Sequence, residues 1–130
     1  MKKILFVCVE NACRSQIAKG LLNHLTSQAI ADSAGTQLAD HVNPNAITVM
    51  KEIGIDISQE KPQTITYEMN QTFDYIVTMG CIEGCPVTPR EKTIEWNIPD
   101  PKDQPLETFR EIRDLIKTHV EELISTYIES

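Results

Sequence analysis

The chain has 130 residues and a formal net charge of −7, which limits what it can bind. This length suits one domain with a substantial buried core, and we predict a single domain spanning residues 1–130. Nucleic acid and anionic membrane surfaces attract basic proteins, so the acidic charge argues against both as partners. An acidic chain that binds an anion must create its positive potential locally.

No stretch of the sequence approaches the roughly 20 apolar residues that cross a bilayer, and the N-terminal apolar run is too short for a signal peptide. We therefore expect a cytoplasmic protein, and we take a monomer without a resident cofactor as the starting hypothesis. The four cysteines are Cys8, Cys13, Cys81 and Cys85. In that compartment, cysteines more often serve catalysis, redox chemistry or metal binding than structural disulfides.

The first half of the chain alternates strand and helix patterns. Residues 3–8 are continuously apolar, which is typical of a central strand in a parallel sheet. Helical spacing of apolar residues predicts a helix over 15–28, followed by a short strand over 29–33 and a turn over 33–36. Asn43 and Pro44 predict the start of a second helix over 44–53, and Gly54 its end.

The second half continues the alternation. We predict a loop with a short helical turn over 61–70, a buried strand over 73–79, a loop over 80–89, a short strand over 93–96 and a long helix over 105–127. The sequence therefore predicts an α/β fold, a single three-layer domain with a four-stranded parallel sheet flanked by helices. Ligands of such sheets bind beyond the carboxyl ends of the strands.

The first such strand end carries the residues Cys-Val-Glu-Asn-Ala-Cys-Arg-Ser, from Cys8 to Ser15. Backbone N–H groups of a strand-to-helix turn, together with the positive end of the following helix, attract an oxyanion. Arg14 can hold two oxygens with its planar fork, and a thiolate at Cys8 is stabilised at this position. Ser15 either donates to that thiolate or caps the helix. The simpler alternative for Cys8 is a small buried hydrophobic residue.

Other candidate residues have structural alternatives. Cys81 and Cys85, with Cys8, Cys13 or a histidine, are candidates for a zinc site, but a second closely spaced pair of ligands is missing. Cys13 is predicted to be a packed thiol, although oxidation to Cys8 is chemically open to it. His119 is predicted as a surface or packing residue, and Trp96 as core or as the rim of the site.

Several segments together resemble the low-molecular-weight protein tyrosine phosphatase superfamily. The resemblance spans nearly the whole chain and includes residues 5–15, Ser33-Ala34-Gly35-Thr36, residues 43–58, Val77-Thr78-Met79 and Asp100-Pro101. It implies that Cys8 is the nucleophile and that Asp100 handles the proton on the leaving oxygen. It also implies that the oxyanion is bound by the loop formed by Glu10, Asn11, Ala12, Cys13, Arg14 and Ser15, in which Asn11 steadies the loop and Ser15 assists the thiolate.

Within that superfamily, the pair Cys81 and Cys85 makes the chain similar to the arsenate reductases. The resemblance implies that Cys8 attacks arsenate, that Cys81 then attacks Cys8 to release arsenite, and that Cys85 attacks Cys81. A thioredoxin or a glutaredoxin-like protein would reduce the final disulfide. The alternatives are a phosphatase that hydrolyses phosphate monoesters through a Cys8 phospho-enzyme, and a thiol- or metal-binding regulator without catalytic activity.

Two positions depart from the superfamily pattern. Glu10 stands where relatives often have glycine, and we expect its side chain to point away from the anion. Some relatives bind a potassium ion with a carboxylate one turn into the first helix, where this chain has Lys19. We therefore expect the ammonium of Lys19 to take the place of that cation.

Overall fold

The computed structural model describes residues 1–79 and 88–129, and its centre is a four-stranded parallel sheet. The strands are β1 (Lys2–Cys8), β2 (Ala29–Gly35), β3 (Tyr75–Met79) and β4 (Thr93–Trp96), in the order β2-β1-β3-β4. All three neighbouring pairs are parallel. Parallel strands need crossover connections, which places helices against the sheet and confirms the predicted fold class.

The helices are α1 (Arg14–Leu25), α2 (Pro44–Lys51), α3 (Tyr67–Thr72) and α4 (Leu106–Leu123). A 3₁₀ turn at Arg90–Lys92 precedes β4, and α4 continues into a π-helical turn at Ile124–Ile128. Asn43 caps α2 as predicted, since its Oδ1 accepts the Asn45 N–H at 2.9 Å. Within the described part of the chain, every helix is too short or too polar to span a bilayer.

Side chains of β1 alternate between two cores, one on each face of the sheet. Ile4 and Phe6 join the larger core, which contains the apolar faces of α1, α2 and α4. Leu5 and Val7 join a smaller core, closed by Met69 of α3 and its neighbours. Burial on both faces explains why β1 is continuously apolar. Trp96 belongs to the larger core, and its ring lies 5.0 Å from that of His119, so both are packing residues.

The predicted turn over residues 33–36 is wrong, because Ser33, Ala34 and Gly35 continue β2. They pair in parallel with Phe6, Val7 and Cys8, and all three are buried. Strand pairing and burial therefore override the turn preference of Ser, Gly and Thr. The extension matters because it carries β2 to the same edge of the sheet as Cys8.

Candidate active site

The loop between β1 and α1 uses its carbonyl groups for hydrogen bonds to the surrounding chain. The Val9, Glu10 and Ala12 carbonyls accept backbone N–H groups from residues 36–43 at 2.8 to 3.2 Å, and the Asn11 carbonyl accepts the side chain of Gln16 at 3.0 Å. Within residues 1–79 and 88–129, the N–H groups of residues 10–13 meet no acceptor. These N–H groups and the start of α1 are suited to bind an anion.

Cys8 ends β1 and is buried, with its Sγ 2.9 Å from the hydroxyl of Ser15. Ser15 therefore contacts the sulfur, and it makes no capping bond to α1. Asn11 Nδ2 donates to Ser15 Oγ at 2.7 Å. Asn11 is fully buried and has a φ of 53°, a left-handed conformation that Asn tolerates better than most residues. The hydrogen bonds of Asn11 thus hold both the loop and the serine.

Arg14 opens α1, and its guanidinium is buried at the same end of the sheet. Its Nη1 donates to the Ile98 carbonyl at 2.9 Å, and its Nη2 lies 3.7 Å from Asp100 Oδ2. The Asp100 side chain is 47% exposed, so it faces the solvent-accessible side of the arginine. The sequence carries no signal for Ile98, because the contact uses only its backbone.

Cys13 is buried beside the candidate nucleophile, and burial is the main reason why the pKa of its thiol is raised far above the usual range. The negative charges of Cys8 and Asp100 raise the pKa further, and Arg14 opposes them. Cys13 therefore stays protonated near neutral pH and does not compete with Cys8 as an attacking thiolate. This agrees with its predicted role as a packed thiol.

A pair of opposite charges stands at the rim of the site. Lys102 Nζ lies 2.6 Å from Glu10 Oε2, and the hydrogen bond to that carboxylate raises the pKa of Lys102. The carboxylate that we expected to point away from the anion is therefore held and neutralised by an ammonium. The sequence did not reveal this pairing, because the two residues are 92 positions apart.

These groups surround a cavity of about 160 Å³. No Phe, Tyr or Trp within the described residues lines the cavity. His41 at the rim was not predicted as a site residue. The lining residues are Cys8, Glu10, Ala12, Cys13, Arg14, Ala39, His41, Asn43, Pro44, Asp100 and Lys102.

The ammonium of Lys19 is paired with two carboxylates. Lys19 Nζ lies 3.1 Å from Glu60 Oε2 and 3.3 Å from Asp32 Oδ1. Among residues 1–79 and 88–129, no group of three or more His, Cys, Asp or Glu side chains is arranged to hold a metal ion.

Cys81 and Cys85 lie outside the described residues, so the thiol relay and the zinc alternative stay predictions. The described chain stops at Met79, the last residue of β3. β3 lies directly beside β1, with Val7 paired to Thr78. The sequence therefore attaches Cys81 two residues beyond the strand that neighbours the one ending in Cys8.

Several similar proteins align with this chain over almost its full length. A glutaredoxin arsenate reductase from Synechocystis sp. is 38% identical over 130 residues, which cover 96% of this chain and 98% of the relative. A solved arsenate reductase in the phosphate binding state is 37% identical with a TM-score of 0.84, covering 96% of this chain and 98% of that one.

Two further solved structures have the same fold. A thioredoxin-dependent arsenate reductase from Corynebacterium glutamicum is 32% identical with a TM-score of 0.81, covering 97% of this chain and 61% of that one. Wzb from Vibrio vulnificus, in complex with benzylphosphonate, is 29% identical with a TM-score of 0.87, covering 95% of this chain and 97% of that one.

These similarities confirm the resemblance to the arsenate reductases of the phosphatase-like fold. The family model for low molecular weight phosphotyrosine protein phosphatases matches residues 3–129. With its cysteine, loop and arginine at the end of β1, the chain belongs to the low molecular weight phosphotyrosine protein phosphatase family.

Proposed function

We propose that this protein is an arsenate reductase that converts arsenate to arsenite with electrons from thiols. The observation that carries the proposal is the loop at residues 9–13, whose carbonyls accept hydrogen bonds, while the N–H groups of residues 10–13 meet no acceptor among the described residues and lie beside Cys8 and Arg14. This arrangement binds a tetrahedral dianion, and arsenate is one. Fold alone does not separate arsenate reduction from phosphate ester hydrolysis. Near-full-length relatives named arsenate reductase support reduction.

The first step is the attack of the Cys8 thiolate on arsenic. A sulfur–arsenic bond forms, and an arsenate oxygen leaves as water after it is protonated. Asp100, 3.7 Å from Arg14, is the proposed source of that proton. Arg14 and the loop N–H groups hold the remaining oxygens, whose negative charge they balance. Ser15 donates to the attacking sulfur from 2.9 Å.

The second step reduces arsenic. The Cys81 thiolate attacks the Cys8 sulfur, the sulfur–arsenic electron pair leaves with arsenic as arsenite, and a Cys8–Cys81 disulfide forms. Cys85 then attacks Cys81, which frees Cys8 and leaves a Cys81–Cys85 disulfide. Two thiols are oxidised for each arsenic reduced. The position of Cys81 two residues after β3, the neighbour of β1, supports this order.

The test is arsenate-dependent NADPH oxidation by the wild-type protein, Cys81→Ser and Cys85→Ser. One arm supplies thioredoxin and its reductase, and a second supplies glutathione, glutaredoxin and glutathione reductase. We expect turnover by the wild-type protein in one arm, none by Cys81→Ser, and about one arsenite per chain with Cys85→Ser, because that variant stops at the Cys8–Cys81 disulfide.

Hydrolysis of p-nitrophenyl phosphate by the same variants is the matched control. It needs Cys8 and Arg14 but not the other two thiols, so both variants should retain the wild-type rate. Fast ester hydrolysis without arsenate reduction would establish the phosphatase alternative. Equal arsenate reduction by wild type and Cys81→Ser would refute the relay, and stoichiometric bound zinc in the purified protein would favour the regulator.

A further inference from the structure

A chain of hydrogen bonds connects the Cys8 sulfur with Gln63, which does not line the cavity. Ser15 Oγ lies 2.9 Å from Cys8 Sγ, and Asn11 Nδ2 donates to that oxygen at 2.7 Å. On its other side, Asn11 Oδ1 accepts the backbone N–H of Gln63 at 2.9 Å. Gln63, which lies 52 positions from Asn11 in the sequence, is therefore linked to the Cys8 sulfur without interruption.

The direction of each hydrogen bond follows from the chemistry of Gln63. A backbone N–H only donates, so the Asn11 atom beside it must be the amide oxygen, and the atom facing Ser15 must be the amide nitrogen. That nitrogen only donates, so Ser15 Oγ accepts from it. The serine has one hydrogen, and within the described residues Cys8 Sγ is its remaining partner. Ser15 is thereby set to donate to sulfur, which favours a thiolate over a thiol.

The backbone of Gln63 is held in place by its own side chain. Gln63 Nε2 donates to Asp32 Oδ1 at 3.0 Å and to the Ser33 carbonyl at 2.8 Å. The Gln63 carbonyl accepts the Gly35 N–H at 2.9 Å, which adds a third contact to β2. Asp32 is in turn paired with Lys19 at 3.3 Å. The amide side chain thus fixes the segment whose N–H orients Asn11.

We propose that Gln63 is a positioning residue for the reaction, which keeps Ser15 as a hydrogen-bond donor to the Cys8 sulfur through the orientation of Asn11. The inference rests on the proposed function only in taking Cys8 as the nucleophile. Gln63 touches neither the cavity nor the sulfur, so it acts through Asn11 and Ser15. The charged and titratable groups around the cavity are Glu10, Cys13, Arg14, His41, Asp100 and Lys102, and the test leaves them unchanged.

The test compares Gln63→Met with Gln63 in a background that lacks the other reactive thiols, Cys81→Ser with Cys85→Ser. Iodoacetamide alkylates the Cys8 thiolate, and mass spectrometry of the 4–14 peptide separates Cys8 from Cys13. Met keeps the size of Gln but cannot make its hydrogen bonds. We expect alkylation about fivefold slower at pH 6 and equal rates at pH 10, where the thiolate forms without help from Ser15.

Three variants complete the design. Gln59→Met, at an exposed neighbouring position, should leave the profile unchanged. Asn11→Asp should slow alkylation at pH 6 more strongly, because a carboxylate accepts the Ser15 hydrogen instead of donating to its oxygen. If Gln63→Met does not fold, Gln63→Glu tests the same point, since a carboxylate cannot donate to Asp32 or to Ser33.

An unchanged profile in a folded Gln63 variant would overturn the proposal. A rate lowered by the same factor at every pH would also overturn it, because that result means a merely structural role. Alkylation does not depend on arsenate turnover. Failure of the reductase assay with the expected alkylation profile would therefore remove the proposed function and leave the role of Gln63 standing.

Discussion

Lys102 Nζ lies 2.6 Å from Glu10 Oε2, and this contact joins the loop at residues 9–13, the anion loop, to the segment that carries Asp100. The two segments supply the candidate nucleophile and the candidate proton donor. Lys102 therefore has two roles that can be separated by mutation: it neutralises a carboxylate at the rim, and it links the two segments.

Replacing Lys102 with Ala should raise the KM for arsenate about threefold at low salt, because Glu10 is then left as an unpaired negative charge beside an anion site. Glu10→Gln should lower the KM by a similar factor. Steady-state arsenate reduction at low and high ionic strength measures both, and the differences should shrink as salt screens the charges. A Lys102→Ala variant with an unchanged KM at low salt would contradict this prediction.

Arg14→Lys should lower kcat/KM about 100-fold while the protein stays folded. A lysine cannot reproduce the planar fork that donates to the Ile98 carbonyl at 2.9 Å and still presents further N–H groups to an oxyanion. Arsenate turnover and calorimetric titration with phosphate measure the loss. Arg90→Lys, on an exposed 3₁₀ turn, is the matched control and should behave as the wild type. Phosphate affinity equal to that of the wild type would refute the assigned role of Arg14.

Gly35→Ala should destabilise the protein by about 2 kcal/mol and impair catalysis, because the added Cβ would lie 2.7 Å from the Val9 carbonyl and 2.9 Å from Asn11 N. These are backbone atoms of the anion loop, so the loop itself must move. Gly54→Ala is the control: no atom lies within 4 Å, but its φ of 81° costs about 1 kcal/mol. Urea unfolding should show a loss of stability in both variants. Ester hydrolysis should show a loss of activity in Gly35→Ala alone.

Glu52 links α2 with α4, since its carboxylate accepts from Arg110 at 2.8 Å and from Arg113 at 2.8 Å. The hydrogen bond from Arg110, supported by Arg113, lowers the pKa of Glu52 below 4.5. A carboxyl whose pKa is lower in the folded chain than in the unfolded chain stabilises the fold above its unfolded-state pKa. This stabilisation is lost as the pH falls through the folded-state pKa. Glu52→Gln should therefore lower the urea midpoint of unfolding at pH 7, and the difference from the wild type should diminish toward pH 3.

The exposed Glu111→Gln on α4 is the control for Glu52 and should shift the urea midpoint at neither pH. A difference between Glu52→Gln and wild type that is as large at pH 3 as at pH 7 would mean that packing, and not charge, explains the effect. Added salt should reduce the difference at pH 7, because both side chains of the Arg110–Glu52 pair are partly exposed to solvent.

Much of the fold followed from apolar periodicity. The continuous run in β1 and the stripe in α4 are strong signals because burial on two faces, or on one helical face, restricts residue type at every position. The predicted turn over residues 33–36 is wrong because local residue type does not determine the structure there. Ser33 and Gly35 have weak strand preferences, and only their pairing with Phe6 and Cys8, which no local pattern reveals, makes them strand.

The residues of the candidate site also differ in how well the sequence predicts them. Cys8, Arg14 and Ser15 lie close together in sequence, so their chemistry was recognisable before the structure. Ile98 contributes through its carbonyl, which leaves no trace in residue type. Gln63 donates its backbone N–H to Asn11 from 52 positions away, so no local pattern reveals the contact. The contact of Lys102 with Glu10 depends on how two loops that are distant in sequence meet.

The hydrogen bond from Arg14 to the Ile98 carbonyl has a consequence for the thermodynamics of anion binding. A free arginine side chain loses rotamer entropy when it closes on a ligand. Here a buried carbonyl already fixes the guanidinium at 2.9 Å, so that entropy is lost when the chain folds. Anion binding should consequently require little ordering of this side chain. The rigidity of the arginine, as much as its charge, equips the loop to hold an oxyanion in a protein of net negative charge.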